Sequence, residues 1–200
     1  PGNDAATFNN IMANEWLFRT IAAYDLLMIV SVVILSLALY VILKTVNKNL
    51  ALLALLFRYG EAILNGFGVL SSLIVLLLLN GEDYSAVFET EQLQALVGLF
   101  LDVRYAAISI VIVLVSLGTI VFCYLFYKSN YIPRILAAWG IFSFSLLLIS
   151  TFVSILVPNY EVIPQIPGIP AFIFEVTIGL WLLIKGVNVE EWEKRALESA

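Results

Sequence analysis

The 200 residues are 62% hydrophobic and give a mean hydropathy of +1.01, against roughly 45–50% apolar content in a soluble domain, and the apolar residues fall in long blocks that call for lipid as the outer solvent. The net charge is −5 with only 12% charged residues and no basic stripe, which argues against a nucleic-acid partner. The absence of histidine removes Ser–His and Cys–His catalysis, His-ligated haem and the usual zinc sites, and the single cysteine, Cys123, rules out an internal disulfide.

Five apolar blocks follow in chain order. The hydropathy pattern predicts helix A from Trp16 to Lys44, helix B from Leu50 to Leu79, helix C from Leu93 to Tyr127, helix D from Ile132 to Val157 and helix E from Pro170 to Ile184. A span needs roughly 20 residues to cross about 30 Å of hydrocarbon. Blocks A to C exceed that, so tilt or projection into the headgroups is expected, and E sits near the lower limit. Asn47 and Asn49 interrupt the run between A and B, and Asn80, Gly81, Glu82 and Asp83 stop B. Pro133 fits the first turn of D. Pro158, Pro164 and Pro167 predict a non-helical D–E connection, with Pro170 opening E and Gly186 closing it. The fold class expected is therefore all-α: a polytopic transmembrane bundle over residues 1–186, followed by a short amphipathic cytoplasmic tail over 187–200 with Trp192 as an interfacial anchor. Cys123 reads as a small packing residue in an apolar helix. The aromatic residues Trp16, Tyr84, Tyr127, Tyr131 and Tyr160 fall near predicted interfaces, as a belt should.

Charge placement sets an orientation. Lys44 and Lys48 lie in the A–B connection, Lys128 and Arg134 in C–D, and Lys185, Lys194 and Arg195 after E. The B–C and D–E connections carry Glu82, Asp83, Glu89, Glu91 and Glu161 with no Lys or Arg. Alternate threading of five spans puts all three basic segments on one side, which the positive-inside rule assigns to the cytoplasm together with the C-terminus.

Ionisable residues inside spans are functional candidates by default. Arg58, Glu61 and Asn65 share one face of B at spacings of three and four. From the cytoplasmic end, Arg58 lies roughly 12 Å deep and Glu61 roughly 16 Å, with Glu175 of helix E roughly 15 Å deep. These four form a candidate mid-membrane polar cluster. Arg19, Asp25, Asp102 and Arg104 form a second group nearer the outer face. Helix B has eighteen Leu, Ile, Val or Phe residues supplying roughly −9 kcal/mol against about +3 for each charge, so it inserts regardless. Helix E has nine such residues, roughly −4.5 kcal/mol against about +3 for Glu175. That narrow margin predicts that Glu175 is paired with Arg58 or protonated. The small-residue run Asn65, Gly66, Gly68, Ser71 and Ser72 fits close helix packing.

Five segments, PGNDAATFNNIMANEWLFR at 1–19, LYVILKTVNKNLALLALLFR at 39–58, EQLQAL at 91–96, YKSNYIPRILAAWG at 127–140 and FEVTIGLWLLIKG at 174–186, together resemble a bacterial membrane family known as domain of unknown function 4386. The resemblance implies one more hydrophobic helix ahead of the first segment, hence six spans with both ends in the cytoplasm, in the inner membrane of a bacterium. Members similar to this chain carry a His near the start of the fourth span, where this chain has Val103 and Arg104, so no role of that His transfers. The family brings no activity with it.

Three functions are weighed on these residues. A non-catalytic accessory, assembly or sensing component ranks first, with membrane lipids as partners, a membrane-protein partner or second copy as candidates, and no cofactor. A small transporter or proton-linked carrier using Arg58, Glu61 and Glu175 ranks second and demands a wet cavity at their depth. An intramembrane acid–base enzyme ranks last, since Arg58 beside Glu61 favours an ion pair over an acid poised for proton transfer.

Overall fold

The computed structural model describes residues 4–80, 88–157 and 165–198. It is an all-α membrane bundle with the helices α1 (Asp4–Ala13), α2 (Glu15–Leu43), α3 (Lys48–Asn80), α4 (Thr90–Ser129), α5 (Arg134–Leu156), α6 (Gln165–Ile184) and α7 (Val189–Glu198). Five of them, α2 to α6, are long and apolar enough to cross a membrane, and they correspond to blocks A to E. The acidic residues Glu82, Asp83 and Glu161, and the belt residues Tyr84 and Tyr160, lie outside the described residues.

The helix ends follow from local chemistry. Asn14 ends α1 and starts α2: its N–H donates to the Asn10 carbonyl at 3.1 Å while its own carbonyl accepts from Leu17 at 3.0 Å. The short helix α1 carries Phe8 and Ile11, three residues apart and both buried. Asn47 caps α3, its Oδ1 accepting the Leu50 N–H at 2.9 Å, which gives a positive reason for the break read between blocks A and B. The Gln92 side chain reaches back to the Glu89 N–H at 3.1 Å, half of a capping box that starts α4 three residues before Leu93. Asn188 caps α7 by accepting from Glu191 at 3.3 Å. Gly186 has φ +70°, the left-handed conformation expected after a helix C-terminus.

Three proline assignments change, those of Pro133, Pro167 and Pro170. Pro133 takes the N-cap position, outside the first turn, and α5 begins at Arg134. Helix α6 begins at Gln165, earlier than the expected Pro170, with Pro167 in its first turn and Pro170 inside it. A proline in the first turn loses only an N–H that has no intrahelical acceptor. Pro170 does interrupt the ladder, and its carbonyl accepts the Trp139 Nε1 proton from α5 at 3.3 Å.

Contacts group the chain into two compact units. The first comprises residues 1–32 and 62–111, and its core joins Phe8 and Ile11 of α1 to Val75 of α3 and Leu93 and Val97 of α4. The second comprises residues 33–61 and 112–200. Its core packs Leu43, Ala51 and Ala54 against Phe122, Cys123 and Phe126 of α4 and Phe144 and Phe174 of α5 and α6. Ala51 and Ala54 are fully buried, and such small residues let helices approach closely where lipid supplies no hydrophobic drive. Phe144 and Phe174 meet edge to face at 6.0 Å.

Tyr131 belongs to this core instead of the lipid belt, being 1% exposed. Its hydroxyl shares a hydrogen bond with Thr45 Oγ1 at 2.8 Å, and its carbonyl accepts the Asn188 N–H at 2.9 Å. One residue thus ties together the α2–α3, α4–α5 and α6–α7 connections, the three that carry the basic residues. Arg134 adds a cation–π contact over the Tyr127 ring at 5.7 Å. The tail helix α7 is anchored in the same place, with Trp192 packed against the core of the second unit.

Candidate functional site

Within the second unit, Arg58 and Glu61 sit one turn apart on α3 and form an ion pair, Nη1 to Oε2, at 2.8 Å. Glu61 is buried and Arg58 nearly so, with side chains 7% and 12% exposed. The contact is electrostatic without hydrogen-bond alignment. The aliphatic stem of Arg58 lies over Gly118 of α4, where an added methyl would stand 3.1 Å from both Cγ and Cδ. Gly118 therefore makes the room in which Arg58 can fold along the helix and reach Glu61.

Glu175 enters from α6. It interacts electrostatically with both Arg58 and Glu61, yet its side chain is exposed, and the ion pair that Arg58 makes among the described residues is with Glu61. Of the two states expected for Glu175, pairing with Arg58 or protonation, the ion pair is not formed among the described residues, and Arg58 takes a local partner instead. A partner three residues away on the same helix is preorganised, whereas a partner on another helix is not. Asn65, the fourth member of the expected cluster, falls in the first unit and is half-buried.

The outer group resolves into two arrangements, both in the first unit. Arg104 of α4 binds Asp25 of α2, Nη2 to Oδ2, at 2.8 Å, and its Nη1 donates to Ser72 Oγ of α3. One guanidinium fork thus joins three helices, a geometry that a lysine could not reproduce. The Arg104 stem passes Gly68, one turn before Ser72, with 3.7 Å from Cγ to the place of an added methyl. The small-residue run on α3 therefore has a use: Gly68 and Ser72 form the shelf on which Arg104 rests.

Arg19 goes elsewhere. It pairs with Glu15 at 2.6 Å, four residues before it, and Asn80 Nδ2 donates to the same Glu15 oxygen at 3.1 Å. Arg19 also edges an apolar groove of about 190 Å³ between α2 and α3. Asp102 is exposed; two residues from Arg104, it lies on the far side of the helix. Ser72, Glu15 and Asn80 were not among the sequence candidates. The Glu15–Arg19 spacing of four signals that pair; Ser72 and Asn80 carry no such local signal.

Comparison with known proteins gives a single kind of match. The family model described as Domain of unknown function (DUF4386) matches residues 1–186. Neither a curated protein nor a solved structure matches the chain.

Proposed function

The chain belongs to that family, and from this premise we propose that it is a non-catalytic accessory, assembly or sensing component of the membrane. The observation that supports the reading is the pairing of both intramembrane arginines with carboxylates of the same chain. Arg58 and Glu61 are buried as a pair, and Arg104 spends its fork on Asp25 and Ser72. The first lets α3 carry its charges at depth, each partner offsetting the desolvation of the other, and the second, which joins three helices, fixes helix packing. A carrier needs a side chain that exchanges its partner for a substrate, and Arg58 folded over Gly118 toward Glu61 is held in one place.

The test is proton flow. Vesicles containing the chain, loaded with a pH-sensitive dye and given a pH gradient, are expected to relax at the rate of empty vesicles, for wild type and Glu61→Gln alike. Faster relaxation that Glu61→Gln abolishes would overturn the accessory reading in favour of the proton-linked carrier.

The orientation belongs to the same proposal. The connections around Lys48, Lys128 and Lys185 lie on the cytoplasmic face of an inner membrane, with α7 beside them. The support is their shared attachment to Tyr131 together with the concentration of basic residues there. In sealed right-side-out vesicles an impermeant amine reagent is expected to spare Lys48 and Lys128 until the vesicles are opened. Labelling of just one of the two before opening would refute the shared side.

A further inference from the structure

The charge balance of the second unit's polar group is unequal: one cation, Arg58, serves two carboxylates, Glu61 and Glu175. Glu61 takes the ion pair and the burial. The surplus carboxylate is Glu175, exposed on a helix of which 17% of the spanning residues are buried. Glu175 has only a longer-range electrostatic interaction with Arg58, and a carboxylate without an ion pair at that depth is expensive in hydrocarbon and calls for a closer partner.

The surface around it is shaped for one. Gly168, Glu175 and Gly179 follow at spacings of seven and four and so share a face of α6. Both glycines stand in open space, with no atom within 4 Å of where a Cβ would be. Glycines flanking a polar residue let a second helix bring its backbone close and engage that residue directly. Phe172 and Leu183, exposed at 66% and 85%, supply apolar surface to either side.

We propose that this face of α6 docks a transmembrane helix of another protein that carries a lysine or arginine at mid-membrane depth, which pairs with Glu175. A second copy of this chain cannot supply that cation. Of its ten basic residues, Lys44, Lys48, Lys128, Arg134, Lys185, Lys194 and Arg195 lie at or beyond the helix ends that carry the basic connections. Arg19 and Arg104 are engaged with Glu15 and Asp25, and Arg58 is buried with Glu61. Residues 1–200 thus leave no free cation at that depth for Glu175, and that cation is assigned to another protein. This inference rests on the accessory reading and names the chemistry of its partner.

The probe is a polyleucine transmembrane peptide with one central lysine, compared with the same peptide bearing leucine there. Each is reconstituted in phosphatidylcholine vesicles with the full chain carrying a fluorescent protein after Ala200, and association is read by energy transfer. The lysine peptide is expected to bind about tenfold more tightly than the leucine peptide. Glu175→Gln is expected to erase that preference, and Gly179→Leu to weaken the lysine peptide while Glu175 remains. Equal binding of the two peptides would overturn the proposal, as would a preference that survives Glu175→Gln. So would self-association of the chain that the lysine peptide fails to displace. Gly179→Leu carries the test if Glu175→Gln fails to fold. Equal peptide binding with no proton flow would remove this interface and leave the accessory reading standing, whereas proton flow would remove the reading itself.

Discussion

Arg58→Leu is expected to destabilise the chain by about 3–5 kcal/mol, the cost of removing one partner from a buried ion pair. The reason lies in what stays behind. Glu61 is 5% exposed and would keep its position on α3 with no cation beside it and with Glu175 still within electrostatic range. The double variant Arg58→Leu with Glu61→Leu removes both charges together and is expected to recover most of the loss, because an apolar pair of similar volume replaces a desolvated ionic one. Unfolding titrations of the four proteins in mixed micelles complete the cycle. A single variant no less stable than wild type, or a double variant as unstable as the single, would show that an unpaired Glu61 is not the source of the loss. Arg58→Lys separates charge from shape. It keeps a cation, but the stem that lies over Gly118 ends in a point charge, so partial retention is expected.

The spans were legible in the sequence because their signal is an average over twenty or more residues and survives errors at either end. The three basic connections stand out in the sequence for the same reason, and Tyr131 joins them by hydrogen bonds. Which side chain meets which is a different kind of fact. Arg58–Glu61 and Arg19–Glu15 are helix-surface neighbours at three and four residues, and the spacing alone contains them. Glu15 lies just ahead of the apolar block, at the first residue of α2, where hydropathy carries no signal. Arg104–Asp25 was placed in one group, but Ser72 joins it across 32 residues of chain, and nothing local marks a serine as the acceptor for an arginine on another helix. Asp102 shares its depth in the membrane with Arg104, but two residues along a helix put it on another face. Helix α6 starts ahead of the expected Pro170 because Pro167, assigned by sequence to the non-helical connection, is tolerated in a first turn.

The same pattern of arginine stem over glycine appears twice, Arg58 on Gly118 and Arg104 on Gly68, once in each unit. It gives the glycines of this chain a role beyond helix–helix approach. In hydrocarbon a guanidinium needs a fixed counter-charge and a path for its stem, and a glycine on the facing helix provides the path. The carboxylate then has to stand where the stem delivers the head, which is why Glu61 and Asp25 are engaged and Glu175, with no stem directed to it, is not.

Gly140→Ala is expected to destabilise the second unit by about 1–3 kcal/mol, as overpacking of a filled core does. Alanine ordinarily improves a helix interior by about 0.8–1.0 kcal/mol over glycine, so any net loss measures a collision that outweighs the gain. The collision is specified atom by atom. A methyl at position 140 would stand 2.5 Å from Cys123 Sγ and 2.5 and 2.7 Å from two ring carbons of Phe174. Cys123 and Phe174 are 1% and 2% exposed, and the Phe174 ring is held edge to face by Phe144, so neither can swing aside. Phe174→Leu added to Gly140→Ala removes the ring atoms that collide and is expected to restore part of the stability. Gly66→Ala provides the contrast, since nothing lies within 4 Å of its methyl, and is expected to be neutral or mildly stabilising. Thermal unfolding in detergent distinguishes the cases. If Gly140→Ala and Gly66→Ala behaved alike, α4, α5 and α6 would not meet at Gly140 as closely as these distances require.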